Sequence, residues 1–320
     1  MNHIHNTRQF AQFLLSIIVF NGASVLLANE PVVTALVITP DGKQVVAAQD
    51  SQLRFFEIAT LSTLATVDFE LASIHDIRFS PDGKMLAVAG GNPGEDGIVQ
   101  VCHYPFEQAG AVYRIHKDSV YSIRWLPDSN RIVTGSLDGN VNLFDRNKNS
   151  KISEFHGHSK GVTAVEMLPG EKILVTASVD QSLRVWDIIT RKNIRTFNNH
   201  TGAINDLKIS PHTEGLPTVV TIANDRTVRF WQPTIGRMVR FVKLESIPLA
   251  VVWHPREPMI VVTTSTGLVF MIDSQSAAIV KRIQTNHSWL HAVVIDPAGE
   301  NVIVANNTGL QKFSLLQIDQ

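Results

Sequence analysis

Seven similar units of about 42 residues follow one another along the chain, and this period is the strongest constraint on its fold. A proline stands at the same place in every unit, and successive prolines are 41, 46, 42, 42, 44 and 42 residues apart. These prolines are Pro40, Pro81, Pro127, Pro169, Pro211, Pro255 and Pro297. A short β-rich run precedes each proline, and two further runs dense in Val, Ile, Leu and Phe follow it before a more variable fourth run. Four short strands per unit are therefore predicted.

A four-stranded unit of this size cannot bury both of its apolar faces alone, so each unit must pack between two neighbours. A closed ring of such units is a β-propeller. We predict an all-β fold in which residues 31–317 form a seven-bladed propeller of four-stranded antiparallel blades. Asp-Gly pairs at 41–42, 82–83 and 138–139 fit tight turns that need a positive φ.

Two interpretations compete for the N-terminus. Residues 1–28 resemble a signal peptide or an N-terminal anchor, with an apolar run at 10–20 and Ala28 as the last residue before a cleavage site. The seventh unit ends after its third strand, and residues 22–27 could supply the strand that completes it. Cleavage after Ala28 would remove that strand and leave a three-stranded last blade. We expect an exported protein, periplasmic or secreted, and a membrane-anchored or cytoplasmic one if the segment is not a signal peptide.

Composition excludes several classes of function. The formal net charge is -1 and no block of like charges occurs, which argues against a nucleic-acid partner. No segment after the N-terminus is apolar enough to span a bilayer. The single cysteine, Cys102, cannot form an internal disulfide, and we expect it to be buried and unreactive.

The repeats resemble WD40 repeats, of a bacterial and exported type with divergent units. The fourth unit carries the resemblance best, with Gly157–His158, then ASVD at 177–180, then a strand ending in Trp186–Asp187. The family implies a hydrogen-bonded tetrad in each blade, which here would be His158, Ser178, Asp180 and Trp186. Partial tetrads are implied by His116, Ser136 and Asp138 in the third unit and by His200, Asp225 and Trp231 in the fifth, where Ala223 stands in the Ser place. The resemblance implies that these groups stabilise blades, so we do not interpret them as a catalytic triad.

The family also implies a ring of side chains at the mouth of the central channel. The proline register places Thr34, His75, Tyr121, Thr163, Asn205, Leu249 and His291 there, with Trp289 beside them. This mixture of polar and aromatic groups is typical of a protein-binding surface. The alternative is that several of them only cap the channel and bind water. No carboxylate stands at the matching positions, so we predict no metal at His75 and His291.

We therefore predict a monomeric, non-catalytic scaffold without a cofactor, which presents one rim to protein partners. The alternative is a hydrolase-like enzyme with its site in the central channel. The Gly-rich insertion at 90–97 lies on the same rim, and we expect a flexible arm there.

Overall fold

The computed structural model describes residues 32–106, 110–212 and 214–315, and every regular element among them is a β-strand. Blade 1 contains β1 (Val33–Ile38), β2 (Gln44–Gln49), β3 (Gln52–Glu57) and β4 (Thr63–Asp68); blade 2 contains β5 (Ile74–Phe79), β6 (Met85–Asn92), β7 (Asp96–His103) and β8 (Ala111–His116). Blade 3 contains β9 (Val120–Trp125), β10 (Arg131–Ser136), β11 (Val141–Asp145) and β12 (Ser150–Phe155); blade 4 contains β13 (Val162–Met167), β14 (Ile173–Ser178), β15 (Leu183–Asp187) and β16 (Asn193–Phe197). Blade 5 contains β17 (Ile204–Ile209), β18 (Val219–Ala223), β19 (Thr227–Gln232) and β20 (Arg237–Lys243); blade 6 contains β21 (Pro248–Trp253), β22 (Met259–Thr264), β23 (Leu268–Asp273) and β24 (Ile279–Gln284); blade 7 contains β25 (Ala292–Ile295), β26 (Asn301–Asn306) and β27 (Gly309–Ser314).

Strands that are consecutive in sequence pair side by side in every blade, and all pairs are antiparallel. The second strand of each blade is almost wholly buried, whereas an outer strand such as β4 is mostly exposed. The predicted seven-bladed propeller is confirmed. Within the described residues no helix is long and apolar enough to cross a membrane.

The hydrophobic core is divided into seven clusters, and each cluster joins two neighbouring blades. Leu53 of blade 1, for example, packs in one cluster with Ile77 and Leu86 of blade 2. The seventh cluster joins Leu36 and other residues of blade 1 to Ile303 of blade 7, so the ring is closed. Because each sheet is covered on both faces, its middle strands must be apolar on both sides, as the sequence shows.

Blade 7 has three strands within the described part of the chain. Its third strand nevertheless reaches blade 1, since Lys312 Nζ donates hydrogen bonds to the carbonyl oxygens of Ile58 (3.1 Å) and Ala59 (2.6 Å). Residues 22–27, the alternative closing strand, lie outside the described residues, as does the whole predicted signal peptide or anchor at 1–28. Both interpretations of the N-terminus stay predictions.

The predicted glycine turns at 41–42 and 82–83 form on the face opposite the channel mouth defined below, whereas the turn at 138–139 lies on the mouth side. The turn at 82–83 helps neighbouring blades to approach. Gly83 has a φ of +71°, and a Cβ built on it would lie 3.0 Å from Pro40 Cβ of blade 1. A larger residue would therefore combine a strained backbone with a close contact.

The insertion in blade 2 is ordered, which corrects the prediction of a flexible arm. Residues 90–97 extend the β6–β7 hairpin, and Asn92 bonds through its backbone and side chain to Asp96 Oδ1, each at 3.0 Å. The tip is fixed to blade 3 because Gly94 N donates to Asp118 Oδ1 at 2.9 Å. Some glycines in this segment lie in the paired strands and one lies in the turn. Composition alone could not distinguish this arrangement from a flexible loop.

The closing cluster gives a stability prediction. Ile303 is fully buried between blades 7 and 1, so Ile303→Ala should lower the free energy of unfolding by about 2–5 kcal/mol. Ile279 is 44% exposed on the outer strand of blade 6, and Ile279→Ala should change the free energy by less than about 0.5 kcal/mol. Equilibrium denaturant unfolding measures both. Equal losses would contradict closure by this cluster.

Candidate functional site

The seven side chains predicted at the channel mouth occupy equivalent places at the start of the innermost strands, and all seven are half-buried. In blades 1 to 6 a register shift falls at this place. In blade 1, Val33 pairs with Gln49 and Ala35 with Ala48, so Thr34 has no partner of its own. The equivalent shifts leave out His75, Tyr121, Thr163, Asn205 and Leu249, and His291 directly precedes β25. A bulge of this kind redirects a side chain out of the regular alternation.

Three polar members of this ring hold neighbouring blades together. Thr34 Oγ1 donates to the carbonyl oxygen of Ile74 in blade 2 at 2.6 Å. Thr163 Oγ1 makes the same bond to Ile204 of blade 5 at 2.8 Å, and Asn205 Nδ2 bonds to Pro248 O of blade 6, also at 2.8 Å. Their polar groups are thus engaged within the propeller.

The aromatic members are arranged differently, as two stacked pairs. His75 of blade 2 stacks on Tyr121 of blade 3, with ring centroids 4.1 Å apart and planes inclined by 20°. Trp289 stacks on His291 in blade 7, at 6.0 Å and 19°. Trp289 is 42% exposed, although its backbone is held by a 3.0 Å bond from its N to Ser265 O. Large aromatic groups that are rigid and partly exposed are typical centres of protein interfaces.

Burial keeps these pairs uncharged near neutral pH. It lowers the pKa of His75 to about 4, although the negative charges of Asp118 and Asp76 oppose the shift. Burial also lowers the pKa of His291, and burial together with Asp118 raises the pKa of Tyr121. The mouth therefore presents uncharged aromatic rings, one pair on blades 2 and 3 and one pair on blade 7.

A second layer of charged side chains lies deeper along the innermost strands, and it was not predicted from the sequence. It contains Asp76, Arg78, Arg124, Glu166, Asp206 and Lys208, all from blades 2 to 5. Arg124 bridges two blades, with Nη1 at 3.1 Å from Asp76 Oδ2 and Nη2 at 2.8 Å from Glu166 Oε1. The register could have revealed it, since four of these residues stand three places after a mouth position.

This layer is built from ion pairs, two within blades and two that join blades through Arg124. Asp76 Oδ2 also accepts a 3.0 Å bond from Ile123 N of the next blade. Although burial opposes its ionisation, the charges of Arg78 and Arg124 lower the pKa of Asp76. A general acid at neutral pH needs a raised carboxyl pKa, and Asp76 has the opposite shift. The arrangement is typical of a structural network.

The blade tetrads contain a different hydroxyl from the one that we predicted. His158 Nδ1 lies 2.9 Å from Asp180 Oδ2, and its Nε2 lies 2.7 Å from the hydroxyl of Thr176, not of Ser178. Trp186 Nε1 donates to the same Thr176 hydroxyl at 2.9 Å. Ser178 instead donates to Gly161 O at 2.8 Å and accepts from the backbone N–H of Asp180.

The same correction completes the tetrad of blade 5. His200 binds Asp225 at 2.8 Å and Thr221 at 2.7 Å, and Trp231 Nε1 donates to Thr221 at 2.8 Å. Ala223 therefore leaves nothing missing, contrary to the prediction that only the fourth unit is complete. Thr221 and Thr176 stand at the same place in their second strands, and that repetition was the available signal.

Blade 3 has the same arrangement without the tryptophan. His116 contacts Asp138 at 3.0 Å and the hydroxyl of Thr134 at 2.8 Å, with Phe144 in the Trp place. Ser136 donates instead to Asp118 O at 2.7 Å. In the fourth and fifth blades the imidazole side chains are almost completely buried.

Other reactive groups offer little chemistry. Cys102 is buried, and burial raises the pKa of its thiol. No group of three or more His, Cys, Asp or Glu side chains in the described ranges is placed to hold a metal ion.

The tetrad predicts a coupling between two side chains. Thr176→Val removes the hydroxyl that serves both His158 and Trp186, and should cost about 1–3 kcal/mol for each buried group left without a partner. In the double variant Thr176→Val, Trp186→Phe, the indole N–H is absent. The double variant should therefore lose less unfolding free energy than the two single variants lose in sum. Additive losses, measured by denaturant unfolding, would contradict the shared hydroxyl.

The shifted pKa of His75 predicts a pH dependence of stability. Its folded pKa of about 4 lies below the ordinary value of about 6.5, so the unfolded chain binds the proton first as pH falls. The contribution of His75 to the free energy of unfolding should thus decrease from about pH 6.5 down to about pH 4, where the loss is complete. His75→Phe, which retains an aromatic ring, should remove that part of the slope. An NMR titration midpoint of His75 near 6.5 would contradict the buried stack.

Comparison with known proteins agrees with this architecture. A family model described as WD domain, G-beta repeat matches residues 63–102, 108–145, 149–187 and 191–232. Each match begins with the outer strand of one blade and continues into the next, and together they contain all three His–Asp pairs and the charged layer.

Several eukaryotic proteins are similar to parts of the chain. WD repeat-containing protein VIP3 of Arabidopsis thaliana is 27% identical over 140 residues, which is 40% of this chain and 43% of that protein. Actin-interacting protein 1-2 of the same plant is 32% identical over 37% of this chain and 19% of that protein, and WD repeat-containing protein 1 of Mus musculus is 31% identical over 34% and 18%. The chain thus spans less than half the length of these relatives, and none of them supports a bacterial, exported type. The four matched segments are thus similar to WD40 repeats, and the similarity agrees with the propeller fold.

Proposed function

We propose that the protein is a non-catalytic scaffold that binds protein partners at the channel mouth. The proposal rests on a difference between the polar and the aromatic side chains of the mouth ring. Thr34, Thr163 and Asn205 use their polar groups in hydrogen bonds between blades. The rings of His75 and Tyr121 stack on each other, as do those of Trp289 and His291. Apart from a bond between His75 and Ser73, the described residues place no internal hydrogen bond on these four side chains.

The aromatic half of the ring has the properties of an interface centre. It is neutral, which reduces the cost of removing water from it, and its backbone is fixed by strand bulges and loop hydrogen bonds. A surface ordered before binding loses little conformational entropy when a partner arrives. The similar proteins described above add support to a binding role. What their names state is said of those proteins only.

The alternative of a hydrolase-like site in the channel has weaker support. It would need a carboxylate or imidazole free to exchange protons near neutral pH. Asp76 is fixed in ion pairs that lower its pKa, and His75 is neutral and stacked. We therefore favour binding over catalysis.

Partner capture from extracts of the source cell tests the proposal. The variant Tyr121→Ala, Trp289→Ala truncates one ring of each stacked pair and should lose the proteins that the full chain retains, because interface energy is concentrated in such anchors. A matched control, Phe241→Ala, Val280→Ala, removes apolar groups that are 56% and 59% exposed on outer strands, and should retain them.

Both variants must unfold at temperatures close to that of the parent chain for the comparison to be valid. Retention of the captured proteins by the mouth variant would overturn the proposal.

A further inference from the structure

The stacked pair His75–Tyr121 lies beside a strongly asymmetric distribution of charge. The rim that contains the channel mouth carries six carboxylates over blades 1 and 2 and the entry to blade 3, which are Asp50, Asp68, Glu70, Glu95, Asp96 and Asp118. Two cations, Arg114 and Lys117, stand on the same sector, which leaves a net charge of 2 − 6 = −4. Over blades 4 and 5 the same rim exposes Lys160 and Arg226, while Asp180 and Asp225 are paired with histidines.

Three of these carboxylates have no internal role. Asp50, Glu70 and Glu95 are exposed, and no side-chain hydrogen bond or ion pair engages them within the described residues. A salt bridge would have offset their charge, as Arg282 does for Glu245 at 2.8 Å in blade 6. Their field therefore extends into solvent above the rim.

Asp118 connects this charge to the aromatic rings. Its Oδ1 accepts bonds from Gly94 N at 2.9 Å and from Ser119 N at 2.7 Å, so the carboxylate is fixed at the tip of the blade 2 hairpin. Its charge acts on both rings of the pair, since it opposes the lowered pKa of His75 and contributes to the raised pKa of Tyr121. The hairpin thereby joins the acidic sector to the channel mouth.

We infer that the partner segment bound at this mouth is basic, with an arginine or lysine side chain over the faces of Tyr121 and His75 and further basic residues along blades 1 and 2. This inference rests on the proposed function and adds the chemistry of the partner. Neutral aromatic faces attract a cation through the negative charge of their π-systems, and arginine also stacks on them. Unpaired carboxylates nearby attract the rest of the segment and increase its rate of encounter.

Binding of labelled peptides to the full chain tests the inference. The probe is a fluorescein-labelled nonapeptide with three arginines separated by glycine and serine, and two matched peptides carry citrulline or glutamate in place of arginine. Fluorescence anisotropy should show binding of the arginine peptide alone, with a dissociation constant that rises when the salt concentration is increased.

A matched pair of variants locates the charge effect. Glu70→Gln, Glu95→Gln removes two unpaired carboxylates from the acidic sector, and should raise the dissociation constant of the arginine peptide about five- to tenfold at low salt. Glu257→Gln, Glu300→Gln removes the same charge from exposed loops on the opposite face and should change the constant less than about twofold. Equal effects of the two variants, or equal binding of the citrulline peptide, would overturn the inference.

The outcome separates this inference from the scaffold proposal. If Glu70→Gln, Glu95→Gln retains every captured protein while Tyr121→Ala, Trp289→Ala loses them, the basic partner is excluded and the binding role of the mouth stands. If the mouth variant also retains them, the scaffold proposal fails as well.

Discussion

Burial of apolar surface between neighbouring blades is the interaction on which the structure depends. The core consists of seven clusters, each shared by two blades, so no blade has a core of its own. Closure is therefore required for stability, and the cluster that joins blade 7 to blade 1 completes the ring without a fourth strand in the described part of blade 7. The bonds from Lys312 to Ile58 and Ala59 add polar contacts at the same junction.

The same requirement explains where function can reside. Polar groups near the axis are used mainly to join blades, as Thr34 and Thr163 do at the mouth and Arg124 does below it. The histidines of the tetrads are likewise engaged, with Asp on one side and Thr on the other. What remains available for a partner is the aromatic part of the mouth and the charged loops around it. A rigid surface of this kind fits the proposed binding role, because it is ordered before a partner arrives.

The fold could be predicted because its period and its apolar runs are local properties of the sequence. Details that depend on side-chain direction could not. Ser178 and Thr176 are two places apart on one strand, so both face the same side and either hydroxyl satisfies the spacing of a tetrad. The charged layer was not predicted because a bulge at each mouth position changes the alternation of side chains along the strand. It therefore changes which later residues point in the same direction as the mouth side chain. The hairpin at 90–97 was misinterpreted because glycine is common both in flexible loops and in tight strand turns.

Native-state hydrogen exchange on the full chain tests the central claim most directly. If the blades are stable only by mutual burial, the slowest amides of the innermost strands should share one opening free energy in all seven blades, including β1 and β25. Opening any one interface would then expose its neighbours. Rapid exchange confined to blade 7, with the other six blades fully protected, would show that the ring does not depend on closure by that blade and would contradict the account.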